Sequence, residues 1–114
     1  MANLENYFII LAIIQIAHSA EEILTNFPKK WPLWRMSKQT FISFELFLST
    51  LLILVIFFKQ FPQRQLFMML FNLIMFANGV WHLMWAGIEK RYVPGLITAI
   101  LFIIVFTSFY LNLF

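Results

Sequence analysis

Residues 8–26 read FIILAIIQIAHSAEEILTN, and this stretch decides the fold. It is an apolar run long enough to cross hydrocarbon, yet it carries His18, Glu21 and Glu22 near its end. A bilayer core about 30 Å thick needs ~20 helical residues at 1.5 Å each. Three more segments of that kind follow, so the expected spans are 4–26, 39–59, 65–88 and 93–114. Helix is the only state open to them. Four strands cannot close a barrel, and the backbone must satisfy itself inside lipid. The sequence therefore predicts an all-α membrane protein, a four-transmembrane-helix up-down-up-down bundle forming one domain.

Composition points the same way. Of 114 residues, 62% are hydrophobic and 11% charged, too few polar groups to coat a soluble domain. Fifteen Phe and four Trp suit a lipid-facing surface with interfacial anchors, and Trp31 and Trp34 are expected in that anchoring role. The chain has no Cys, which excludes disulfides, thiolate chemistry and Cys-ligated zinc or iron–sulfur clusters. Pro28 and Pro32 frame the first connection, FPKKWPLWRMSK. Pro62 marks a tight turn in KQFPQR, and EKRY leads to Pro94, expected in the first turn of the last helix.

Charge sets the expected orientation. Lys29, Lys30, Arg35 and Lys38 lie in the first connection, and Lys90 and Arg91 in the third. The second holds only Lys59 and Arg64. Six positive charges against two predict connections one and three in the cytoplasm and both termini outside. The net charge of +3 thus reads as membrane orientation, and no nucleic-acid partner is expected. The first residues, MANLENYF, carry Glu5 and no Lys or Arg, which argues against a cleaved signal peptide. Four short helices pack little surface, so a homo-oligomer is a candidate assembly.

Charge at membrane depth costs about 2.5–3.5 kcal/mol per group on insertion scales. His18, Glu21 and Glu22 lie near the end of the first span, Glu45 near the start of the second, His82 near the end of the third and Thr98 near the start of the fourth. In an up-down-up-down order all fall on the face bearing connections one and three, with His18, Glu45, His82 and Thr98 roughly 7–12 Å below it. At about 100° per residue, Gln15, His18, Glu22 and Thr25 form one stripe, with Glu21 at its flank. Asn78 and His82 align on the third span with Trp85 beside them. Blander readings exist for single residues. Asn72, Asn78, Ser49 and Thr98 suit hydrogen bonds between helices. Glu89, beside Lys90 and Arg91, reads as a solvated end charge, and Trp81 and Trp85 as packing or interface residues. Two His and three Glu in one layer are too costly for packing alone.

Several chemistries fit this set. His18, Glu21, Glu22, Glu45 and His82 offer N/O ligands for one divalent ion, zinc, iron or manganese, with Asn78 behind His82 as an outer partner. Without metal, His18, Glu21, Glu22 and His82 are the catalytic candidates of an acid/base site acting on an apolar small molecule or lipid. Adjacent desolvated carboxylates do not all ionise unless a cation joins them. Trp81 and Trp85 would then face a cationic intermediate. Transport of ions or protons is the third reading. Residues 8–14, 50–58, 66–71 and 99–106 lack ionisable groups, so a pocket open to one face fits better than a channel. A purely structural membrane protein is the fourth.

His18-Ser19-Ala20-Glu21-Glu22 resembles the signature of the HXXEE-domain family of small bacterial integral membrane proteins. Asn78-Gly79-Val80-Trp81-His82 is similar to that family's Asn-x-x-x-His element, and Tyr92-Val93-Pro94-Gly95-Leu96-Ile97-Thr98-Ala99 to its Tyr-x-Pro-Gly-x-x-Thr-Ala start of the last span. The resemblance implies a membrane location and singles out His18, Glu21, Glu22, Asn78 and His82, with added weight on Pro94, Gly95 and Thr98. It implies no reaction.

Overall fold

A computed structural model describes residues 2–112. The described residues form five helices and no strand: α1 (Ala2–Leu24), α2 (Phe27–Lys30), α3 (Lys38–Phe57), α4 (Arg64–Glu89) and α5 (Leu96–Asn112). By length and composition α1, α3 and α4 can cross a membrane. The last helix has 17 residues, about 26 Å at 1.5 Å per residue, and is shorter than the span expected over 93–114. Gly95, at φ +90, is not helical, and Leu96 N–H closes a turn onto Val93 C=O. Pro94 therefore lies in the turn before α5 and not in its first turn. The end of the expected span, residues 113–114, lies outside the described residues.

The first connection also differs from its expected form. Asn26 turns left-handed (φ 62), which stops α1 at Leu24, and Phe27–Lys30 makes one short helix with Pro28 in its first turn, where a missing N–H is harmless. Trp31 does not stand out as an anchor. Its ring packs edge-on against Trp81 and Trp85 and tilts over Phe27. Only Trp34 is left exposed, at 59%.

Local chemistry closes the helix ends. The Ser37 hydroxyl accepts from Thr40 N–H at the start of α3. At the other end, Arg64 donates to the carbonyls of Val55 (2.6 Å) and Ile56 (3.2 Å) and pairs with Glu5, which also holds Lys59. The two cations of the second connection thus cap α3 and tie it to α1. Lys90 takes the left-handed C-cap of α4.

Contacts fix the relative directions. Phe8 meets Phe67 and Phe71 while His18 meets His82, so α1 and α4 run parallel. Tyr7 bonds Ser108 while His18 bonds Thr98, so α1 and α5 run antiparallel. Glu5 with Lys59 and Ser19 with Glu45 set α3 antiparallel to α1. At Gly79 the α4 backbone comes so close to Ala99 that an added Cβ would lie 2.7 Å from its carbonyl oxygen. Small residues allow such approach between apolar helices.

The interior is layered. An apolar core of Leu4, Phe8, Leu11, Leu52, Phe71 and Phe102 fills one end. An aromatic cluster around Phe27, Phe41 and Trp85 closes the other. Gln15, His18, Ser19, Glu22, Glu45, His82 and Thr98 are all buried. They occupy the level between the two clusters. Asn72 departs from the expected role of interhelical donor: it is fully buried, and neither of its amide atoms has a hydrogen-bond partner among the described residues.

Candidate functional site

The polar layer is built from four helices, α1, α3, α4 and α5. His18 and Glu22 are one turn apart on α1, and His82 projects from the parallel α4. Their side chains are nearly sealed, at 1%, 5% and 2% exposure. Glu22 Oε2 lies 3.4 Å from His18 Nε2 and 3.3 Å from His82 Nε2, and the two imidazole rings meet edge to face with centroids 4.8 Å apart.

Outer hydrogen bonds set the imidazole protons. His82 Nδ1 faces the backbone carbonyl of Asn78 at 2.9 Å, which can only accept, so the proton sits on Nδ1. His18 Nδ1 faces Thr98 Oγ1 at 2.6 Å. The Thr98 hydroxyl gives its one hydrogen to Glu21 Oε1 (2.7 Å), which leaves a lone pair to accept from His18 Nδ1–H. Both Nε2 atoms then face the same carboxylate oxygen. Asn78 Nδ2, 3.4 Å from His18 Nε2, supplies one weak donor, whereas His82 Nε2 has no hydrogen-bond partner. Glu22 Oε2 and the two Nε2 atoms thus converge on one small space.

The two His–Glu distances can be compared with those of a charge-assisted hydrogen bond and of a bound metal ion. A charge-assisted N–H···O bond is about 2.7–2.9 Å long. Both contacts to Glu22 are longer than that. A tetrahedral ion with ligands at ~2.0–2.1 Å has edges of ~3.3–3.4 Å. The two His–Glu separations match that edge. Among the described residues, His18, Glu22 and His82 form the one group of three His or Glu side chains placed to hold a metal ion, with one ligand atom from each within 4.8 Å of the others. Gly95 leaves the necessary room. A Cβ there would lie 2.6 Å from His18 Cε1 and 2.9 Å from His82 Nε2.

Glu21 and Glu45 lie outside that group. Glu21 turns to α5 and accepts from the backbone N–H groups of Ile97 (3.1 Å) and Thr98 (3.0 Å), from the Thr98 hydroxyl and from Tyr92. It acts as an N-cap supplied by another helix, which α5 needs because Gly95 has no side chain to cap with. Burial and the Glu21 carboxylate push the Tyr92 phenol up from its ordinary range. Glu45, buried on α3, accepts from Gln15 and Ser19 of α1. Trp85 donates to Glu89, which also pairs with Arg91, and Trp81 stacks on Trp85.

Residues 9–110 match the family described as "Protein of unknown function with HXXEE motif". The chain belongs to the HXXEE family. No curated protein and no solved structure matches it. The three fixed letters of the HXXEE motif divide their work here: His18 and Glu22 face His82, and Glu21 caps α5. Sequence reading missed Tyr92 and Ser19, the partners of Glu21 and Glu45. Tyr92 stands in the stretch that resembles the family's last element, and that was the available signal.

A cleft of about 980 Å³ opens beside this HXXEE site. Glu22, His82, Gln15, Glu45 and Asn78 line one part of it. Its remaining walls are largely apolar side chains of α3 and α4, with Trp31, Trp34 and Arg35 from the first connection.

Proposed function

We propose that this protein is a four-span, up-down-up-down integral membrane metalloprotein. On this reading α5 crosses with the other three helices, and the polar layer lies toward the cytoplasmic face, with both termini outside. His18, Glu22 and His82 hold one divalent ion of the zinc, iron or manganese kind. The observation that carries the reading is the convergence of the His18 and His82 Nε2 atoms on one Glu22 oxygen, at 3.4 and 3.3 Å, with each Nδ1 held by an oxygen on its far side. Two His and one Glu with a further position open is a ligand set that catalytic zinc sites use. Glu22 and His82 also line the cleft, so an ion there would be a Lewis acid toward an apolar molecule lodged in it. Thr98 and the Asn78 carbonyl orient the two imidazoles, and Glu45 adds an acid/base group on the opposite wall.

A conducting path has little support. Beyond Gln15 the interior is filled by Phe8, Leu11, Phe71 and Phe102, and the charges at the far end, Glu5, Lys59 and Arg64, pair with one another. Elemental analysis of detergent-purified protein tests the metal reading. One ion per chain, lost in His18→Ala and in Glu22→Gln, is the expected result. A metal-free protein that takes up no zinc on addition, or zinc retained by both variants, overturns it.

A further inference from the structure

The cleft has a shape and a charge pattern of its own. It runs along α4 from His82 to Phe67, ~22 Å at 1.5 Å per residue, and along α3 from Thr40 to Leu51. An extended chain advances ~1.2 Å per bond, so this length takes a chain of roughly 18 carbons. Phe44, Leu70 and Ile74 line the long walls and are also exposed at the protein surface, so the cleft is open along its side. A side opening between two spans faces hydrocarbon, not water.

The polar groups are confined to one end. Arg35 stands on the rim and, among the described residues, makes no hydrogen bond or ion pair. Glu22 and Glu45 are buried, whereas Arg35 is exposed and is the one cationic side chain on the cleft wall. Gln15, 3% exposed, lines the same end and keeps its Oε1 without a donor. An apolar trough with an unpaired guanidinium at its polar end matches one class of molecule.

We infer that the cleft binds a membrane glycerophospholipid with an anionic headgroup. The phosphate sits at Arg35, one acyl chain lies between α3 and α4, and the ester linkage nearest the head falls beside Glu22 and His82. The inference rests on the metal-centre reading for the chemistry at that ester, but the lipid site has its own readout. Purified protein is exchanged into detergent with phosphatidylglycerol or phosphatidylcholine, and retained lipid is counted by native mass spectrometry, with zinc content measured on the same samples. One phosphatidylglycerol per chain is expected, with retention of phosphatidylcholine lower by about tenfold, because its choline cation cancels the headgroup charge and is repelled by Arg35. Arg35→Gln removes the headgroup preference, and Ala77→Trp, which fills the trough from an exposed position on its wall, removes the lipid. Both variants keep their zinc, which also reports that they fold, and Leu48→Trp repeats the block from the α3 wall. Equal retention of the two lipids, or unchanged retention in both tryptophan variants, overturns the inference. Zinc bound with that lipid pattern absent sinks the inference alone, and lipid bound as expected without zinc sinks the metal reading alone.

Discussion

Gly95→Ala is the smallest change that strikes the proposed centre without touching a ligand. The added Cβ would lie 2.6 Å from His18 Cε1, 2.9 Å from His82 Nε2 and 3.1 Å from Glu22 Cγ. All three residues are at most 4% exposed, and each imidazole is held at Nδ1 by an oxygen, which resists displacement. Forcing a methyl group into such packing costs about 1–3 kcal/mol. The backbone adds to this, because φ is +90 and an L-residue in left-handed territory costs roughly 1–2 kcal/mol. The sum is about 2–5 kcal/mol of folded-state stability. Relief by displacing either imidazole breaks its outer hydrogen bond, and such losses weaken metal binding about 10–100-fold. Gly87→Ala is the control, since a Cβ there meets nothing within 4 Å and an alanine within a helix gains about 0.5–1 kcal/mol. Thermal unfolding in detergent and zinc titration read both quantities. Zinc affinity and melting of Gly95→Ala equal to those of the parent would refute the packing account of the site.

The two glutamates of the motif separate by assay. Glu21→Ala loses the cap of α5, about 0.5–2 kcal/mol, yet retains zinc, whereas Glu22→Gln keeps the fold and loses zinc; chemical denaturation and elemental analysis read the two effects. Gly79→Ala drives a methyl group against the Ala99 carbonyl and the Ile103 side chain, so unfolding in detergent should register about 1–3 kcal/mol of destabilisation. Arg64→Ala frees the Val55 and Ile56 carbonyls at the end of α3; about 1.5–3 kcal/mol is lost and hydrogen exchange at residues 54–58 rises, with no change in zinc binding.

Much of this arrangement was legible in the sequence because membrane depth is a one-dimensional quantity. Counting residues from helix ends placed His18, Glu45, His82 and Thr98 at one level, and they are all buried in one layer. Direction around the axis was harder to read. Glu21 and Glu22 differ by one residue, about 100°, and only the position of α5 decides that Glu21 caps it while Glu22 meets His82. Trp31 belongs compositionally with the interfacial aromatics, yet the short helix α2 folds it back onto Trp81 and Trp85. Arg64 was counted as a topology signal, but its guanidinium is spent on the carbonyls of α3. The cleft between α3 and α4 leaves no sequence mark, since the residues lining it are those that would have filled a closed interface.

The central claim is that His18, Glu22 and His82 share one ion. X-ray absorption of the zinc-loaded protein in detergent tests it most directly. The account predicts an all-N/O shell at ~2.0–2.1 Å with the scattering of two imidazoles, reduced to one in His82→Ala. A zinc spectrum without ordered imidazole, or one unchanged when His82 is removed, would contradict it.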